Sequence, residues 1–343
     1  MAHAEPEFRE AGPWSKPIRD LNLEIAGSPL EPILARFLRE LSAVGVSRVR
    51  PRFYLSTEWG VPDGTVAIAI PFYLARPDLT QLQGERAGFI EGIGAGDILR
   101  YLRHEMGHVV NYAYQLFETE EWVERFGSIT RPYADDYNPE PFSPRFVRHL
   151  PGWYAQKHPD EDWAETFAVW MTPGHDWRLE YAGRPEALAK LEYCDRTMID
   201  LADREPIITA DDLDVDVSEL TDSVDQFYRT SDADAEPFPP GLDGALRAIF
   251  EDLGIPESLP ADSPRKPASA LIARLEPDLG AAVHRWTGHF PERTRPLLRH
   301  LAERADRLGQ VYPTDHEPEA IVGFTTLVTA LAMNHVIKGS YMP

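Results

Sequence analysis

The chain has 343 residues, 43% of them hydrophobic, and a formal charge of −22; a sizeable core is within reach, wholesale disorder is excluded, and the length allows two domains. A net negative field repels phosphate backbones, which argues against nucleic acid as a partner. The lone cysteine, Cys194, leaves no internal disulfide, the first twenty residues form no signal peptide, and no run of about 18 apolar residues stands out, so no membrane span is expected and cytoplasmic residence is the default.

Residues 1–20 are polar and proline-bearing and read as a surface arm. Residues 28–46 predict an amphipathic helix that Ser28 can cap, with Ile33, Leu34, Phe37, Leu38 and Leu41 at helical spacing. Two β-rich runs then flank Val61-Pro62-Asp63-Gly64, a turn signal that predicts a hairpin. The second run, Thr65–Leu74, contains Pro71, which cannot donate to a ladder and marks an edge strand. A helix over about 98–117 follows, with Asp97 as its N-cap. After a loop-rich stretch over 127–158 come helices at 159–174 and 185–203; Pro159 and a run of acids mark the start of the first, and Pro173-Gly174 ends it. The acidic segment 208–241 reads as a linker or surface strap with solvated charges, and its spacing does not match a calcium loop. The patterns from 242 to 343 look helical throughout. The expected organisation is an α+β unit over 1–207, the strap over 208–241 and an α-helical unit over 242–343.

The motif with the most chemistry is His104-Glu105-Met106-Gly107-His108. At 100° per residue, two histidines four apart leave the same helix face, offset by about 40°. Their nitrogens can share one Zn²⁺, and Glu105 projects beside the ion, where a carboxylate can take a proton from water. Leu99, Leu102, Met106, Val109 and Val110 make this an apolar helix, in which two histidines and a glutamate cost several kcal/mol (about 2–7 per unpaired polar group) unless partnered. Gly107 leaves room for a close neighbour.

A catalytic zinc site needs a third ligand and an open position. The helix at 159–174 offers Glu161, Asp162 and Glu165. Glu161 and Glu165 are like charges at i, i+4, a repulsion that a cation or a donating histidine relieves. We place Glu161 on the metal and give Glu165 the second ring N–H of His104 or His108; the reverse assignment stays open.

His104–His108 followed by Glu161-x-x-x-Glu165 within "DEDWAETFAVW" resembles the gluzincin group of zinc metallopeptidases, and "HPDEDWAETFAVW" more narrowly resembles a bacterial zinc-binding metallopeptidase family. The pattern is also similar to the catalytic domain of anthrax lethal factor, where a tyrosine seven residues before the ligand glutamate faces the metal; Tyr154 holds the matching place. The resemblance covers about residues 97–172. It implies a zincin-like fold with a small twisted sheet, an active-site helix, a bound Zn²⁺ and a peptide or protein substrate held along an edge strand, for which Thr65–Leu74 is the candidate. Tyr154 and His158, close to the ligand helix, are candidate donors to the oxyanion. His149, His175, His284, His289, His300, His316 and His335 have no ligand spacing.

The arginine-rich stretch at 284–310 reads either as an ordinary bundle helix or as a lid on the acidic unit. Function is therefore expected to be zinc-dependent peptide hydrolysis with Glu105 as general base. The rivals are a zinc hydrolase of a non-peptide amide and a non-catalytic zinc-stabilised interaction module.

Overall fold

The computed structural model describes residues 14–87, 89–133, 139–140, 142–229, 242–252 and 264–341. Most of the expected arm at 1–20 lies outside these residues, although Ile18 is buried in the core. The architecture is mixed, with many helices and two small sheets.

Helix α1 (Leu30–Ala43) buries Leu34, Phe37 and Leu41, and the Ser28 hydroxyl accepts from the Leu30 amide at 3.2 Å. Strands β1 (Arg52–Ser56) and β2 (Ala67–Pro71) pair in parallel, from Arg52 opposite Ala67 to Ser56 opposite Pro71. The expected hairpin of two full strands is therefore corrected. The turn itself is present, with the Thr65 amide donating to Pro62 O and Gly64 at φ 68°. It joins β2 not to β1 but to a short returning segment, in which Gly60 forms an antiparallel bridge with Ala69. Enclosed in this way, β2 is buried at every position and offers no open edge to a substrate.

Helices α2 (Pro77–Arg86), α3 (Gly94–Tyr114), α4 (Glu120–Phe126), α5 (Pro159–Met171), α6 (Trp177–Glu180) and α7 (Pro185–Leu201) complete this half. Helix α3 begins earlier than expected: Ile93 is its cap residue, and Asp97, within the first turn, reaches back to accept from the amides of Gly92 and Ile93. It stops at Gln115, whose φ of 50° cannot continue a helix. Leu99, Leu102, Met106, Val109 and Val110 join Trp122, Trp163 and Phe167 in one core. Behind the motif, Arg103 donates twice to Glu40 of α1 in a buried ion pair.

Helices α3 and α5 touch at Gly107. A Cβ there would lie 2.6 Å from the Ala164 Cα, so only glycine permits this approach. The Trp163 indole N–H donates to Gly107 O at 2.8 Å and fixes the crossing. The acidic segment packs on the first half as far as it is described. Ile207 and Ile208 donate to Ala113 O, Val66 donates to Ala210 O, and Val217, Val224 and Tyr228 enter the core, the last two from α8 (Val224–Arg229). Residues 230–241 lie outside the described residues.

A second core gathers α9 (Asp243–Arg247), α10 (Ala268–Thr287), α11 (Pro291–Arg307) and α12 (Glu317–Lys338) around Leu271, Leu301, Phe324 and Leu331. This part is not wholly helical. Strands β3 (Glu251–Asp252), β4 (Arg265–Pro267) and β5 (Gln310–Pro313) form an antiparallel sheet in the order β3-β5-β4. The helix within Thr314–Lys338 contains an 18-residue window with a mean hydropathy of 1.7 and is long and apolar enough to cross a membrane by length and composition, which corrects the expectation that no such run exists. Its Ala320, Phe324, Val328, Leu331 and Ala332 belong to the second core.

Candidate metal centre

His104 and His108 project from one face of α3 toward the first turn of α5, as their four-residue spacing requires. One nitrogen of each and one oxygen of Glu161 lie within 4.8 Å of one another. The two Nε2 atoms are 3.2 Å apart, and Glu161 Oε2 is 3.0 Å from His104 Nε2 and 3.4 Å from His108 Nε2. A tetrahedral zinc with bonds of about 2.0–2.1 Å has ligand–ligand edges of about 3.3 Å, so the triangle matches one face of such a site.

The far sides of both rings are already committed. His104 Nδ1 meets Glu165 Oε1 at 2.9 Å, and His108 Nδ1 meets Asp160 Oδ2 at 2.8 Å. Carboxylates accept, so each Nδ1 carries the proton and each Nε2 presents a lone pair. Two lone pairs and a carboxylate oxygen then face one another inside the protein, an arrangement that calls for a cation. Without an ion the same acids would draw a proton there instead: burial alone would lower the His104 pKa, yet Glu161 and Glu165 outweigh it and lift it to about 9. His108 is likewise raised, with Asp160 and Glu161 overcoming desolvation. The field of the site thus demands positive charge, and two imidazoles with one carboxylate are a donor set that suits zinc.

Each of the three side chains is braced from behind. Glu165, fully buried, also accepts from the amides of His149 and Leu150, which anchors the loop before α5. Asp160 accepts from Asn111 Nδ2 at 2.6 Å and Tyr112 Oη at 2.7 Å in addition to His108. The second oxygen of Glu161 accepts from the Tyr133 hydroxyl at 2.6 Å. Asp160 and Tyr133 were missed in the sequence. Asp160 sits among four acids with no mark of its own, and Tyr133 comes from an aperiodic loop.

Glu105 lies in the wall of a cleft of about 830 Å³ together with His104, His108, Glu161 and Tyr154. Burial raises its pKa, and Glu161 and Asp160 add to that against the two histidines. The segment from Glu58 to Gly64 lines the cleft, whereas β2 does not. The Tyr154 ring stands edge-on to His104 at 5.6 Å, and burial holds its hydroxyl protonated. His158 has a different task. Its Nε2 donates to Arg131 O at 2.9 Å and its Nδ1 accepts from the Asp160 amide, so the ring caps α5 and neither nitrogen is left for an oxyanion. Asp162 points away to Lys190, 2.6 Å distant.

A family model described as "putative zinc-binding metallo-peptidase" matches residues 81–178. The metallo-peptidase match runs from within α2 to α6 and includes His104, Glu105, His108, Glu161 and Glu165, the whole of the braced cluster. It covers less than a third of the chain and stops before the strap and the second core. No curated protein and no solved structure matches the chain.

Proposed function

We propose that the protein is a zinc-dependent metallopeptidase of gluzincin type, with His104, His108 and Glu161 as ligands and Glu105 as general base. The observation that carries this reading is the convergence of three acceptor atoms whose protein partners on every other side are already assigned. A zinc ion held there would supply Lewis acidity toward a carbonyl and make water a better acid. Glu105 accepts the proton of the attacking water and hands it to the leaving amine. The Tyr154 hydroxyl donates to the oxygen that gains charge, while Tyr133 keeps the Glu161 carboxylate turned toward the rings. Peptide substrate lies along Glu58–Val61, the returning segment that replaces the expected edge strand.

A cleft of about 830 Å³ favours a peptide over a small amide. Among the described residues only three ligand groups converge, which leaves a position open and counts against a closed structural site. The test is peptide-library cleavage by the parent and by Glu105→Gln. The parent should cleave, and the variant should lose about 10²–10⁴-fold in rate while keeping its zinc. Unaltered turnover would contradict the role of Glu105. A zinc-bearing parent inactive on every peptide would favour the amide hydrolase or the interaction module.

A further inference from the structure

A second cavity, of about 140 Å³, opens beside His104 and Glu105, and part of its wall comes from the C-terminal half of the chain. His284 of α10 and Phe290, just before α11, stack with ring centres 5.3 Å apart and both line it. So does a second stacked pair, Trp59 and Tyr101, at 5.4 Å with planes 7° apart. The C-terminal wall is held in place by backbone contact. Gly288, at φ 74°, approaches Gly152 so closely that a Cβ would lie 2.6 Å from the Gly152 Cα, and Arg148 donates to Arg285 O at 3.1 Å. Gly152 itself lines the cavity.

The lining has one sign of charge. Glu58, Glu91 and Glu105 border the space, and among the described lining residues there is no lysine or arginine. Burial lowers the His284 pKa to about 4, so its ring is neutral at pH 7. Aromatic faces attract cations and also accommodate methylene stems, and carboxylates attract the charged head over short distances. At about 30 Å³ per water-sized group, the cavity holds roughly five, the number of heavy atoms in a lysine side chain. The net charge of −22 adds a long-range pull on basic peptides.

We propose that this cavity is a substrate subsite for a basic side chain next to the scissile bond, completed by His284 and Phe290 of the C-terminal half. The assignment rests on the peptidase reading for its context, and the experiment separates the two. Peptides identical except for Lys, Arg, Leu, Phe or Glu at one position are presented to the zinc-loaded full chain, and the affinities of the same series carrying a non-cleavable bond in place of the scissile amide are measured by calorimetry, which keeps Glu105 in the lining. Lys peptides should be cleaved and bound about tenfold better than the Leu and Glu peptides, with Arg, two heavy atoms larger, in between. Phe290→Ala and Glu58→Gln, both at exposed positions and so compatible with folding, should reduce that preference at least threefold with zinc content unchanged. Cleavage with no basic preference, or with an apolar one, overturns the subsite and leaves the peptidase reading intact. Selective binding of basic peptides without any cleavage by the parent upholds the subsite and overturns the peptidase reading. Binding indifferent to the varied residue overturns the subsite whatever the turnover.

Discussion

At the scale of single residues, the decisive feature is how the imidazoles are held rather than that they are present. Asp160 gathers three donors, from His108, Tyr112 and Asn111, within 2.8 Å. It fixes the tautomer that turns the Nε2 lone pair of His108 toward His104 and Glu161, where the proposed metal would sit. Asp160→Asn should weaken zinc affinity by about 10–100-fold in a competitive chelator titration, with the fold retained; an unchanged affinity would remove Asp160 from the account. Glu165→Ala should cost more in stability, because the amides of His149 and Leu150 would lose their buried acceptor. Each unsatisfied donor carries about 1–3 kcal/mol, to be read in denaturant unfolding. The residues legible in the sequence were those whose spacing converts directly into direction: His104, Glu105 and His108 on one helix, Glu161 and Glu165 one turn apart on another. Asp160 was not legible, because which acid of Asp160-Glu161-Asp162 faces the histidines depends on the rotation of α5 about its axis. His158 was misread for a related reason. Its nearness to the site is real, but the residue before Pro159 caps the helix through Nδ1, and its Nε2 is taken by Arg131 O.

At the scale of elements, the centre depends on the α3–α5 crossing. Gly107 and Ala164 let the two backbones meet, and every ligand sits within one turn of that contact. Gly107→Ala places a methyl group against backbone, which no side-chain rotation can relieve. The expected result is a loss of about 1–3 kcal/mol together with weaker zinc binding; full stability and full zinc content would show that the helices can separate without harm. Long periodic helices were readable from the sequence, α3, α5 and α7 among them. Short strands were not. Strands β3, β4 and β5 have two to four residues each, too few to show an alternation, and β5 follows directly on the helical pattern of α11. The turn at Pro62–Gly64 was read correctly, but its partner was not. A parallel pairing of β1 with β2 leaves no local signature, because the residues that decide it lie on both sides of the intervening segment.

At the scale of the whole molecule, Gly288, which follows α10, packs on the loop that carries Gly152, so the part of the chain beyond the family match reaches the edge of the candidate metal centre. The second core should also set part of the response to pH. His289 is buried between Thr294 and Tyr341, and desolvation lowers its pKa to about 3. In the unfolded chain a histidine takes up its proton near pH 6.5, about 1.4 kcal/mol being at stake per unit of difference. The folded form refuses that proton until far lower pH. Stability from this residue is therefore complete above pH 6.5 and declines as pH falls below it. Thermal unfolding should move to lower temperature between pH 7 and pH 5, and His289→Gln should show a smaller fall; a parent whose midpoint rises toward pH 5 would contradict the assignment.

The central claim, that a single ion is shared by His104, His108 and Glu161, is tested most directly by metal analysis of the purified full chain by mass spectrometry. One zinc per chain is predicted for the parent and for Glu105→Gln, with the metal lost from His104→Ala and His108→Ala preparations that remain folded. A parent that takes up no zinc when supplied with it, or histidine variants that keep a full equivalent, would contradict it.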